Sequence, residues 1–408
     1  MEIATVIIFV ITYTGVALGT LPGLALDRTG IALLGAIAMV ASTVLSTHQA
    51  TSAIDTSTIL LLYALMVISA QLRLSGFYTR LAFTITRFTG KPAKFLLVMM
   101  GISAFISAFL ANDIVCLAFT PVICISLLEA GLNPIPFLIG LAVSSNIGSA
   151  ATIIGNPQNM LLGQVGNLDF GKFLFFCLVP SLAALAASYF IIYFRYRNKF
   201  RRKVEVEVGE RRHTWPNYNA HQTYKGAAVV ILLVILFFTP VPRELSAMAL
   251  AGFLLCSRSM HTRTILGLID WHLITLFCAL FIVIAGIEVT GLPGMLVLNL
   301  KQNGFDLQNL FNLTFLSTAL SNVVSNVPAT MLLVKFLDPV QPVQWYVVAL
   351  SSTFAGNLIT IGSIANLIVI EGARQYGINV SFREHARVGV PVTLVSVFIT
   401  LAWIKLYI

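Results

Sequence analysis

The sequence predicts an all-α integral membrane protein of two inverted repeats, each with about five transmembrane helices, a re-entrant helical hairpin and a discontinuous helix. Three observations carry this. Hydrophobic residues make up 58% of the 408 and charged ones only 10%, a composition that does not suit a water-solvated surface. Apolar runs of roughly 16–20 residues recur along the chain, the length a helix needs to cross a bilayer. The third is an internal repeat at an offset of 215 residues: Ile54-Asp55 and Ile269-Asp270 open two apolar runs, which Ser75-Gly76 and Thr290-Gly291 close.

The first repeat, residues 1–194, should hold full spans near 3–20, 30–46, 57–74, 136–164 and 172–194. The second, residues 226–408, should hold them near 226–241, 245–257, 271–289, 343–370 and 389–406. Asp55 and Asp270 read as helix N-caps. The segments 94–128 and 308–338 are left over. Each has two apolar pieces of about 15 residues around a polar tip, short for two crossings and suited to a re-entrant hairpin. The tips are Ala111-Asn112-Asp113 and Ser325-Asn326-Val327-Pro328. Span 136–164 should break, because Pro157 lacks an amide hydrogen and clashes with the preceding turn, while Gly155 loosens it. Beyond the hairpins, Asn146 matches Asn357 at an offset of 211, and Gly155 to Asn159 match Gly362 to Asn366 at 207, a four-residue shortening.

Residues 195–225 form a basic linker, which the positive-inside rule places in the cytoplasm. Five crossings per repeat then put the amino terminus outside, make the repeats inverted, and leave 20 of 25 Lys and Arg facing the cytoplasm; Lys172, Arg243, Lys301, Lys335 and Lys405 do not. A multi-pass protein of the cytoplasmic (inner or plasma) membrane is expected. Met1 to Thr20 carries no Lys or Arg, so it reads as a retained span rather than a cleavable signal. The formal charge of +9 lies between apolar runs, which argues against nucleic acid. Cys116, Cys124, Cys177, Cys256 and Cys278 read as small buried apolar residues, and no metal or cofactor is expected. All six histidines, His385 included, fall in loops or at span ends, against a buried histidine relay.

Four segments place polar residues at membrane depth: 107–113, 144–159, 321–330 and 357–366. Such groups are tolerated only around a protein-lined cavity, so the four should converge. Asp113 is their sole carboxylate and should pair, take up a proton or bind a cation. Unwound carbonyls can coordinate a cation, while half-helix N-termini favour an anion. Val327 stands where the first tip has Asp113, so the halves are chemically unequal.

Ser107 to Asp113 with Thr120-Pro121, Asn146-Ile147-Gly148 leading to Gly155-Asn156-Pro157-Gln158-Asn159, Ser325 to Thr330, and Thr360 to Asn366 together resemble the ion transporter superfamily, particularly its arsenite-permease and NhaD-like branch. The resemblance runs from about residue 20 to the end. It implies a substrate site between hairpin tips and helix breaks, carried here by Asn112, Asp113, Asn146, Thr152, Asn156, Asn159, Asn326, Thr330, Asn357, Thr360, Ser363 and Asn366. The Ala111-Asn112-Asp113 tip looks like arsenite permeases, and Gly155 to Asn159 more like general anion and dicarboxylate carriers. Sodium-coupled dicarboxylate members carry Ser-Asn-Thr at both tips, which this chain does not.

The expected function is secondary active transport of a small inorganic oxyanion or its neutral hydroxide form by alternating access, with proton-coupled arsenite or antimonite efflux first. Asp113 would carry the proton. A sodium/proton antiporter and a sodium-coupled dicarboxylate or anion importer are the alternatives, so the coupling ion is H⁺ or Na⁺. No H-E-x-x-H, G-x-S-x-G or P-loop motif occurs, against an enzyme and against ATP hydrolysis by this chain. Besides membrane lipid, the sequence leaves room for two partners, a separate ATPase and a second copy forming a homodimer.

Overall fold

Asp55 and Asp270 begin two long apolar helices, accepting from the backbone N–H of Thr58 at 2.7 Å and of Leu273 at 2.9 Å, as predicted. The computed structural model describes residues 2–21, 23–201, 215–257 and 260–407. Its first ten helices are α1 (Glu2–Leu18), α2 (Arg28–Ala41), α3 (Thr47–Ser52), α4 (Thr56–Leu74), α5 (Phe77–Ile85), α6 (Pro92–Phe109), α7 (Asn112–Glu129), α8 (Ile135–Ser149), α9 (Pro157–Val165) and α10 (Phe170–Tyr196). Ten more follow: α11 (Ala220–Leu236), α12 (Arg243–Leu255), α13 (Thr262–Leu266), α14 (Trp271–Glu288), α15 (Leu292–Gln302), α16 (Leu310–Val324), α17 (Asn326–Leu333), α18 (Pro342–Ala355), α19 (Ile364–Arg374) and α20 (Phe382–Tyr407). The two sets correspond in order and in packing. α2 packs on α14 and α12 on α4, α7 on α19 and α17 on α9, α6 on α8 and α16 on α18. Repeats related by a two-fold axis exchange partners in this way. Among the described residues six helices, α4, α6, α7, α10, α14 and α20, are long and apolar enough to cross a membrane.

The register between the repeats differs from the sequence alignment. α8 and α18 begin at Ile135 and Pro342, and α9 and α19 at Pro157 and Ile364, a constant offset of 207. The tips, Asn112 and Asn326, stand 214 apart. Asn146 is therefore equivalent to Thr353, and Asn357 to Ala150. The shortening is seven residues, and all of it falls in the hairpin's return arm. α7 has 18 residues, against 8 in α17 plus a three-residue 3-10 turn, Val334–Phe336.

Other boundaries also move. Both arms of the first hairpin have 18 residues rather than about 15, because Pro92 starts α6 early and α7 runs to Glu129, so shortness does not describe them. α11 starts at Ala220, capped by Asn219, and takes Lys225 from the expected linker. α20 starts at Phe382, seven residues before its expected span, since a helix continues past the apolar run that reveals it. Cys116, Cys124 and Cys177 are buried, but Cys256, at the C-cap of α12, is exposed and Cys278 half-buried. Arg202, Lys203, Arg211 and Arg212 of the linker, and Arg258, lie outside the described residues.

Candidate functional site

Pro157 supplies the first residue of α9, where its missing N–H has no carbonyl to meet, and Asn156 caps the helix by accepting from the N–H of Asn159 at 2.9 Å. Upstream, α8 stops at Ser149. In the break between them Gly155 passes so close to the Ser149 carbonyl that a Cβ would collide with it. The carbonyls that α8 leaves open need donors. Asn159 Nδ2 supplies them, reaching Thr152 at 3.0 Å and Ser149 at 3.3 Å. In the second break Asn366 Nδ2 donates to the matching carbonyls, Ile359 at 3.1 Å and Gly356 at 2.8 Å.

Four helices start at one place. The first residues of α7 (Asn112, Asp113), α9 (Pro157, Gln158, with the cap Asn156), α17 (Asn326, Val327, with Ser325) and α19 (Ile364, with the cap Ser363) join Asn146 of α8 around a cavity of about 30 Å³. It has room for about two waters. Each helix turns its positive end and free N–H groups toward this space. Asp113 is the only ionisable residue on the lining, and among the described residues its carboxylate has no ion pair or hydrogen bond. At the second tip Ser325 adopts φ 75°, ψ 161°, a region nearly reserved for glycine, which stores about 1–3 kcal/mol of strain.

A ladder of amides crosses the site. Asn146 Oδ1 accepts from Asn112 Nδ2 at 3.2 Å and from Ser363 Oγ at 2.9 Å, and its Nδ2 donates to Oδ1 of Asn357 at 3.0 Å and of Asn366 at 3.2 Å. The orientations follow from chemistry. Gly356 and Ile359 carbonyls can only accept, so Asn366 turns its Nδ2 to them and its Oδ1 to Asn146. Asn146 must then donate toward Asn366 and accept from Asn112, which leaves Asn112 Oδ1 without a donor.

Asn112, Asp113, Asn146, Asn156, Asn326 and Ser363 thus meet at the cavity, and Asn357 and Asn366 support Asn146 from behind it. Asn159 braces the first break. Thr152 donates to the Ala108 carbonyl, tying that break to the first hairpin. Thr330 is buried with an unpartnered hydroxyl, and Thr360 is partly exposed in a 3-10 turn; neither lines the cavity. Lys335 pairs with Glu288 at 3.0 Å beside a different pocket.

Three participants are absent from the residues expected at the site, one of them, Gln158, although it stands inside the Gly155 to Asn159 motif. Gln158 lines the cavity and donates to Thr353 Oγ1 at 3.2 Å, and Asn156 Nδ2 reaches the same oxygen at 3.3 Å. An alignment pairing Ser144-Ser145 with Ser351-Ser352 would have brought Thr353 forward. The third is His385, expected at a span end but buried, with Nε2 3.1 Å from the Asn357 carbonyl oxygen.

Residues 6–355 match the family described as citrate transporter, CitMHS. A "46 kDa membrane protein" of Mycobacterium leprae is 28% identical over 421 residues, which cover 97% of this chain and 96% of that one. The "Silicon efflux transporter LSI3" of Oryza sativa subsp. japonica is 26% identical, covering 92% of each. Among solved structures, the crystal structure of the Alcanivorax borkumensis YdaH transporter has the same fold at a TM-score of 0.61, with 11% identity over 98% of this chain and 97% of that chain.

Proposed function

The chain belongs to the citrate transporter family, CitMHS, within the ion transporter superfamily, and from that membership we propose that it carries a small inorganic acid in its neutral hydroxide form, coupled to protons. It is a multi-pass membrane transporter and not an enzyme.

One observation carries the choice of substrate class. The amide ladder leaves Asn112 Oδ1 free to accept, and Asp113 beside it can only accept whenever it has given up its proton, so this side of the cavity then calls for a ligand with O–H groups to donate. The helix N-termini offer N–H groups to that ligand's oxygens. A hydroxide such as arsenous acid has both. A citrate or dicarboxylate anion finds no Lys or Arg on the lining. The relative named for silicon efflux supports the same class, since silicic acid is an uncharged hydroxide near neutral pH. Arsenite and antimonite stand first because the Ala111-Asn112-Asp113 tip resembles arsenite permeases.

In this reading residues 1–194 and 226–408 are inverted repeats. Their hairpins enter from opposite faces, the linker 195–225 lies in the cytoplasm and the amino terminus outside. Asp113 takes up a proton as the site reorients and releases it on the other side. In proteoliposomes, an imposed pH gradient should drive uptake of arsenite, antimonite or silicic acid and not of citrate, and Asp113→Asn should abolish that drive. Citrate uptake without hydroxide uptake would refute the proposal. A second reading has a specific basis, because Asn112 Oδ1 and Asp113 are also oxygen ligands for sodium. Sodium-driven proton movement with no hydroxide present would favour it.

A further inference from the structure

The helix break of the second repeat is gripped by α20, whereas that of the first is tied to α6 through Thr152 and has no such grip from α10, the counterpart of α20. His385, in the first turns of α20, is 1% exposed, and its Nε2 lies 3.1 Å from the Asn357 carbonyl oxygen. That oxygen can only accept, so Nε2 carries a hydrogen and donates it. One turn on, the α20 backbone presses so closely on the break that a Cβ on Gly389 would collide with the carbonyl oxygens of Asn357 and Leu358. A further turn on, Thr393 Oγ1 donates to the Phe354 carbonyl at 3.3 Å. Spaced four residues apart, these three share one face of α20. The Asn357 carbonyl lies in the break that follows α18, where intrahelical donors run out, and the Phe354 carbonyl at the end of α18 accepts from the Asn357 N–H at 3.1 Å as well as from Thr393. Among the described residues no side chain of α10, the counterpart of α20, donates to the first break.

The grip acts at the residue that reaches into the site from behind. Asn357 accepts through Oδ1 from Asn146, and Asn146 sets the direction of the Asn112 amide at the cavity. We infer that His385 is a positioning residue for transport. By donating to the Asn357 carbonyl it fixes the backbone from which the Asn357 amide meets Asn146, without touching the substrate. The inference rests on the cavity being the substrate site.

The test compares His385→Gln, whose Nε2 reaches about as far as the imidazole Nε2, with His385→Leu, which has no donor, each in lipid nanodiscs and in proteoliposomes. Backbone hydrogen exchange should rise about ten-fold at residues 356–363 in His385→Leu, stay unchanged at 150–156, and return to within about two-fold of wild type in His385→Gln. The KM for arsenite should rise about five-fold in His385→Leu with a smaller change in kcat, and His385→Gln should restore it. Adding His385→Leu to Asn357→Ala should raise KM no further, because the route runs through the Asn357 side chain. Wild-type exchange at 356–363 in His385→Leu, a His385→Gln variant that behaves as His385→Leu does, or KM effects that multiply in the double variant would each overturn the inference. A wild-type protein that moves no arsenite overturns the substrate reading instead, and the exchange comparison then decides the role of His385 alone.

Discussion

Asn146 in α8 donates an amide hydrogen to Oδ1 of Asn357, 3.0 Å away in the opposite repeat. The two are spatial partners and not symmetry equivalents. With its bonds to Asn366, Asn112 and Ser363, Asn146 fills both donor and both acceptor positions of its side chain. One residue therefore joins a hairpin tip and α8 of the first repeat to the broken helix of the second.

Replacing that residue should be costly. Asn146→Ala breaks four buried hydrogen bonds, leaving Asn112 Nδ2 and the Oδ1 atoms of Asn357 and Asn366 unpaired while Ser363 Oγ keeps the Ala365 N–H, and should lower stability by about 2–4 kcal/mol, less than the sum of four separate losses because neighbours relax. Denaturant unfolding in detergent measures it, and a loss below about 0.5 kcal/mol would mean that the ladder contributes little.

Lining and bracing residues should separate in kinetics. Asn112→Ala removes a group at the cavity and should raise the KM for the transported solute about ten-fold. Asn159→Ala removes the donor to the Thr152 and Ser149 carbonyls, so the melting temperature should fall while KM stays within about two-fold. Equal KM changes in both would contradict the division.

Glycine at the first break should be irreplaceable. A Cβ on Gly155 meets the Ser149 carbonyl, so Gly155→Ala should cost about 1–3 kcal/mol. Gly101 on α6 has nothing within 4 Å of a built Cβ, and Gly101→Ala should be neutral or stabilising by up to about 1 kcal/mol. Melting curves of the two variants give the contrast.

Arg243 predicts a difference between two cations. From α12 its guanidinium donates to the carbonyls of Leu168 at 2.8 Å and Gly163 at 2.7 Å, beyond and within the end of α9. Arg243→Lys keeps the charge but not the fork, and should lose about 1–2 kcal/mol in the same unfolding assay. An unchanged stability would show that a point charge suffices there.

Much of the fold is legible because lipid is a demanding solvent: apolar runs reveal spans, and Asp55, Asp270 and Pro157 reveal where helices start. Register is harder. Asn357 attracts the alignment of Asn146 by sharing its letter, whereas the equivalent position holds Thr353, which keeps hydrogen-bonding capacity but not identity. His385 hides because Arg383, Glu384 and Arg387 around it read as a loop, while the helix they belong to has already begun. Asn159 and Asn366 look like ligands in sequence because open carbonyls and a bound solute ask for the same amide. Only geometry tells which of the two each serves.

The short return arm of the second hairpin has an electrical consequence. From the cavity, α17 with its 3-10 turn runs about 18 Å to its end and α7 about 27 Å. With the hairpins entering from opposite faces, as proposed above, an ion that reaches the cavity from the α17 side would cross the smaller fraction of the membrane voltage, whose full drop is worth about 2.3 kcal/mol per charge at 100 mV. Polarising the membrane should therefore retard or drive chiefly the passage alongside α7.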